Sequence, residues 1–244
     1  MVVKRIPCPQ QHPQPRAELM DMEKLLYYYT RNFALGLALG ISVLAGQAAA
    51  HPHGWIDVRV NVVVDDEERL VAFEQQWKMD PFYSIALIEE LELLAPDNRD
   101  EALALMAEEM KINLAPEDFF TEIRIDDESM AFDAVETYRL TATDSEVTLH
   151  FTLPLASPPV ITGQPVVYKI FEPTYFLEML HDADRDGPLP DSLTVQGPLE
   201  CETDIEAADP DPKLVMEAAR IPIDEEAEYG LGRHFAETVT IQCR

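Results

Sequence analysis

Apolar and polar residues alternate through the first stretch of the chain after residue 50. Ile56, Val58, Val60, Val62 and Val64 fall on every second position, the period of a half-buried strand. The acidic segment Asp65–Arg69 interrupts it, and Val71, Phe73, Gln75 and Trp77 then resume the alternation, so the pair reads as a hairpin. Matching the apolar faces puts Val64 opposite Val71 and Val62 opposite Phe73. Carried along the ladder, this sets Ile56 against Met79, Trp55 against Asp80 and Asp57 against Lys78. From Ser84 to Leu94, and again from Glu101 to Met110, apolar residues change to helical spacing, with Pro96 and Asn98 between them. The spacing predicts a helical pair inserted at about residues 82–112.

Strand patterns return at Glu122–Asp126, Met130–Phe132, Tyr138–Ala142, Val147–Leu153 and Val166–Phe171. Asp204 to Pro212 reads as a loop, Leu214–Arg220 as a short helix and Glu237–Cys243 as a closing strand. Many short strands with one helical insertion predict a mainly β fold. The expected form is an antiparallel, sandwich-like α+β domain over residues 51–244.

The segment before it is of another kind. Phe33 to Gly46 is uncharged and rich in Ala, Leu and Gly, with Arg31 ahead of it and Gln47-Ala48-Ala49-Ala50 behind. A basic residue, a short apolar run and small residues before a cut are the marks of a secretion signal. The run is shorter than the roughly 20 residues a permanent spanning helix needs. Residues 1–50 are therefore expected to be a cleaved signal, leaving a periplasmic protein that begins at His51. Residues 1–20 carry no apolar period, so Met1, Met20 and Met22 all stand as possible starts.

Charge narrows the partners. Against 18 Lys+Arg stand 46 Asp+Glu, a formal net charge of −28. Such a surface repels nucleic acid and anionic lipid, so neither is an expected partner. Solubility or adaptation to salty surroundings accounts for the charge without invoking a metal. Of the three cysteines, Cys8 leaves with the signal. Cys201 and Cys243 remain in an oxidising compartment, where an even pair reads as a disulfide.

The residues richest in chemistry are His51-Pro52-His53. Cleavage before His51 frees an α-amine, partly neutral near pH 7, next to an imidazole, and His53 supplies a second ring. Pro52 has no amide proton to lose, so a square-planar amide chelate is disfavoured and a metal must use side chains and the terminus. Asp80 lies diagonally from His53 in the hairpin register, roughly 7–8 Å between backbones, and is the candidate carboxylate. Asp57 sits opposite Lys78 and reads as its salt-bridge partner. His150, on the polar side of its strand, is either an exposed histidine or a distant third imidazole. Asp182 to Gly187 matches the first half of a calcium loop, but Leu193 stands where the bidentate glutamate belongs. There is no G-x-S-x-G, no H-E-x-x-H and no free cysteine nucleophile, so hydrolase chemistry has little support.

His51-Pro52-His53 followed by Trp55-Ile56-Asp57 resembles an uncharacterised periplasmic family, the domain of unknown function numbered one thousand and seven. Trp77-Lys78-Met79-Asp80, the Phe151–Pro154 segment, the Glu172-Pro173-Thr174-Tyr175 turn and the Cys243 ending echo it too. The family is often labelled a periplasmic component of an ABC-type transport system. The resemblance implies an exported protein whose relatives sit beside nickel, cobalt or zinc transporters, and it implies no established activity. Two departures stand out: Glu172 occupies a position where relatives tend to have Asp, and the helical insertion lacks a calcium-loop-like segment.

Together these readings lead to a non-enzymatic, periplasmic binder of a divalent transition metal, zinc, nickel or cobalt, that serves an inner-membrane transporter. Its expected ligands are His51, His53 and Asp80, shielded by Trp55 and Phe82. Two alternatives stay open: a copper oxidase-like enzyme using His51 and His150, and a metal-free structural adaptor of a transporter.

Overall fold

The computed structural model describes residues 51–222, 225 and 227–244; the expected signal at 1–50 lies outside them. Strand β1 (Gly54–Val64) and β2 (Leu70–Met79) form the opening hairpin. Two helices follow, α1 (Pro81–Leu94) and α2 (Arg99–Leu114), the pair read from sequence. The β segments after them are β3 (Thr121–Ile125), β4 (Glu128–Ser129), β5 (Tyr138–Ala142), β6 (Val147–Pro154), β7 (Pro165–Ile170) and β8 (Leu177–His181). The last part holds β9 (Ala183–Asp184), β10 (Gly187–Pro188), β11 (Leu193–Gln196), β12 (Cys201–Glu206), helix α3 (Pro212–Ala218) and β13 (Thr238–Cys243).

These strands make two larger sheets and one small hairpin. The first sheet runs β11-β1-β2-β6-β5, with β8 also on β1; the second runs β12-β13-β7-β3-β4. Their apolar faces meet in one core. Phe73 of β2 packs edge-on to Tyr168 of β7 with ring centroids 5.2 Å apart. Both rings are almost fully buried, and burial of one such side chain contributes roughly 1.5–3 kcal/mol. The architecture is mainly β with a helical insertion, as the alternation indicated.

The hairpin register follows the reading of its faces. Ile56 opposes Met79, Asp57 opposes Lys78 and Val62 opposes Phe73. One end differs: a bulge between Val63 and Val64 sets Val64 against Leu70 instead of Val71, because the tight acidic turn takes up one residue more on one side. The expected Lys78–Asp57 ion pair is formed at 2.8 Å.

Helix α1 begins where Asp80 caps it and Pro81 occupies its first turn. Its buried residues Ser84, Leu87 and Leu91 lie three and four apart, one stripe of an α-helix. Asn98 caps α2, with Asp100 and Glu101 in its first turn and Lys111 in its last, charges matched to the helix dipole. Among the described residues no helix is long and apolar enough to cross a membrane.

Several expectations are corrected in the remaining chain. The outer edge of β1 is filled by parallel strands, β8 along Gly54–Val58 and β11 along Val60–Val63, so the first sheet is mixed rather than purely antiparallel. Met130–Phe132 is not a strand; β4 lies just before it, and Phe132 makes only an isolated bridge to Leu155. The loop expected from Asp204 is still strand to Glu206, because β12 pairs with β13 along its whole length. That pairing sets Cys201 opposite Cys243, and the two form a disulfide.

Candidate metal centre

The first described residues are laid against the fold by backbone bonds. The amide of His53 donates to the Phe176 carbonyl at 2.8 Å, and that of His51 reaches the Ala218 carbonyl of α3 at 3.5 Å. The segment is thereby wedged beside the start of β8 and the end of α3. His51 is only 5 % exposed. Its ring centroid lies 4.5 Å from that of His53, and the Phe176 ring lies 4.7 Å from His53 and 6.3 Å from His51. The sequence-predicted pair is thus brought together beside one aromatic ring.

The polar atoms of these rings have no partners. His51 Nδ1, His51 Nε2 and His53 Nε2 are buried and accept or donate no hydrogen bond within the protein. A buried polar group left unsatisfied costs about 1–3 kcal/mol, so three of them within two residues form an unusual concentration. A neutral imidazole nitrogen with a free lone pair is the commonest metal donor. Burial, and then the neighbouring His53, depress the pKa of His51, while the charge of Glu172 acts in the opposite direction. Desolvation thus favours the neutral form, the one that ligates.

Asp80, expected as a ligand, has its oxygens directed elsewhere. Oδ1 accepts from the amides of Phe82 at 2.8 Å and Tyr83 at 3.1 Å, and Oδ2 from Trp55 at 3.3 Å. It is buried, and a Cβ at Gly54 would lie 2.5 Å from its Oδ2. The carboxylate serves as the α1 cap and ties the start of β1 to it. Among the described residues, no three of His, Cys, Asp and Glu are grouped to hold one ion. Trp55 is 42 % exposed and Phe82 81 %, so neither shields the histidines as a closed shell; the Phe176 ring packs on them, though it is itself 44 % exposed.

The sequence marked Glu172 as part of a turn and as a departure from the family pattern, but not as part of the site. Its Oε1 accepts from the Thr174 amide at 2.9 Å, its Oε2 from the Phe176 amide at 2.5 Å, and the Thr174 hydroxyl lies 3.0 Å from each oxygen. The Glu172–Phe176 loop therefore closes round its own carboxylate. The Pro173 carbonyl accepts from Gly230 and Gly232, and Tyr175 stacks on Phe235 at 3.9 Å. A Cβ at Gly232 would collide with the Glu172 carbonyl, so close approach needs glycine there.

The other candidates lie apart. His150 pairs laterally with Gln76 and Arg139, and its Nε2 lies 3.0 Å from the Thr141 hydroxyl. Gln76 opposes Arg59, six residues along β1 from His53 and about 20 Å away at the rise of a strand. Asp182 is bonded to Arg59 at 2.6 Å and lies 3.7 Å from Lys78. Asp184 accepts from the Asp186 amide within the β9–β10 hairpin. The calcium-like spacing thus serves an ion-pair network and a tight turn.

A largely buried trio escaped the sequence reading. His181 Nδ1 lies 2.7 Å from Glu237, whose carboxylate also accepts the His181 amide at 2.8 Å. On the other side, His181 Nε2 lies 2.8 Å from the Tyr168 hydroxyl. The residues are 13 and 56 positions apart, so no local spacing could reveal them. Burial, and then the charge of Glu237, push the Tyr168 hydroxyl well above its ordinary pKa. Tyr168 on β7 and His181 on β8 clamp the strands at both ends of the Glu172–Phe176 loop.

The sequence model of the family described as "Protein of unknown function (DUF1007)" matches residues 36–243. A protein of Haemophilus influenzae (strain ATCC 51907 / DSM 11121 / KW20 / Rd), named "Uncharacterized protein", is 22 % identical over 225 residues, covering 88 % of this chain and 98 % of that one. No solved structure matches.

Proposed function

Starting from the fact that this chain belongs to the family of unknown function DUF1007, we propose that it is an exported protein that binds one divalent transition-metal ion at His51 and His53 and delivers it to a membrane transporter. One observation carries the binding: three imidazole nitrogens, on two rings 4.5 Å apart, are buried without a partner. The donor set fits the group. Cleavage before His51 adds an α-amine that chelates together with its own ring, and imidazole and amine suit zinc, nickel and cobalt. The disulfide supports an oxidising compartment. Delivery to a transporter rests on the family resemblance alone.

The test is calorimetric titration of zinc, nickel and cobalt into the protein beginning at His51. The expected result is one ion per chain. Affinity should fall at least tenfold in His53→Ala and in a protein with one extra residue before His51, which keeps both rings but displaces the amine. Asp80→Asn should weaken binding less than either change, since its oxygens serve backbone amides and are not ligands. Equal affinity in His53→Ala and in the extended protein would refute the terminal site.

A further inference from the structure

Two imidazole rings bring no negative charge to balance a divalent cation, and the fold holds a carboxylate on the loop against which they pack. The Glu172 carboxylate is held by the amides of Thr174 and Phe176. Phe176 is also the residue whose carbonyl takes the His53 amide and whose ring lies 4.7 Å from His53. One residue therefore joins the carboxylate to the histidine pair through its amide, its carbonyl and its ring. Glu172 lies four positions before Phe176 on the same loop. Its oxygens face the loop's own amides and hydroxyl, so it acts across space and not as a ligand.

We infer that Glu172 is the anionic positioning residue of the His51–His53 site, a fixed negative charge that favours a divalent cation there over a neutral or anionic guest. The loop fixes the carboxylate in place. Two amides hold it, and Tyr175 stacked on Phe235, with Pro173 bonded to Gly230 and Gly232, keeps the loop from moving away. A preorganised charge in a partly desolvated setting acts more strongly than one on a mobile surface side chain.

This inference rests on the metal reading, and the experiment separates the two. Zinc alone is titrated into the parent, Glu172→Gln and Glu172→Asp, each beginning at His51, at low and at high potassium chloride. Glu172→Gln should bind about tenfold more weakly at low salt, on the order of the interaction of near charges at a protein surface. Its affinity should also depend less on salt, because the screened interaction is gone. Glu172→Asp keeps the charge and should return most of the affinity and the parent's salt dependence. If Glu172→Gln binds as tightly as the parent, the inference falls. It falls equally if both variants weaken alike with the parent's salt dependence, since the loop's shape, not its charge, is then what matters. A parent that binds no zinc refutes the metal reading itself.

Discussion

Replacing His181 by Phe tests whether the buried Tyr168–His181–Glu237 chain stabilises the fold across its two sheets. The ring fits the same space, but two bonds disappear: the 2.8 Å contact to the Tyr168 hydroxyl and the 2.7 Å contact to Glu237. Glu237 keeps the His181 backbone amide at 2.8 Å, so its charge is not fully orphaned. Losing one bond to a charged group costs about 1.5–3 kcal/mol, and a hydroxyl stranded in the core about 1–3 kcal/mol more. Gains from the more apolar ring offset part of this. The expected loss is about 3 kcal/mol, a large part of the stability of an ordinary domain. Urea unfolding followed by tryptophan fluorescence measures it as a lower midpoint at unchanged slope. The double variant His181→Phe with Tyr168→Phe removes the stranded hydroxyl and should recover about 1–2 kcal/mol of that loss. A single variant within 1 kcal/mol of the parent, or a double variant no more stable than the single, would refute the reasoning.

Removing the Cys201–Cys243 crosslink, which spans 42 residues, should lower stability by about 4 kcal/mol on the chain-entropy account; the midpoint of the double serine variant checks it, and an unchanged midpoint contradicts it. Burial, and then Arg139, depress the pKa of His150, so the unfolded chain binds the proton more readily than the folded one. The contribution is complete above the unfolded value of about 6.5 and is lost as pH falls toward the folded value. Melting temperatures of metal-free protein should therefore drop between pH 7.5 and 5.5, and by less in His150→Gln; identical drops would remove His150 as a source.

The part of the fold that was legible was the part with local period. The β1–β2 register followed from Val62 and Phe73 sharing a face, and the Asp57–Lys78 pair came with it. Helices α1 and α2 were legible for the same reason, with Pro and Asn marking the break. Strands β8 and β11 were not: each is short, and what makes it a strand is the free edge of β1 more than a hundred residues earlier. The candidate site divides likewise. His51 and His53 adjoin in sequence and in space, whereas Glu172 and Phe176 meet them only through the β7–β8 connection. Asp80 was legible as the residue opposite Trp55 but not as the cap of α1. Its position three residues before Tyr83 and just ahead of Pro81 signals a helix cap as strongly as the hairpin register signals proximity.

The parallel closure of β1 has a kinetic consequence. β1 is among the first segments of the domain to be synthesised, yet its outer edge is covered only by residues from Leu177 to Gln196. Parallel pairing at such separation raises the contact order, and the entropy of closing so long a loop must be met before the contacts return anything. Until then the hairpin presents an unpaired edge made of Val-rich strand. The nascent chain is thus held back from completing its first sheet until most of its length exists. If the chain is exported as proposed, that delay helps keep it unfolded until it has crossed the membrane.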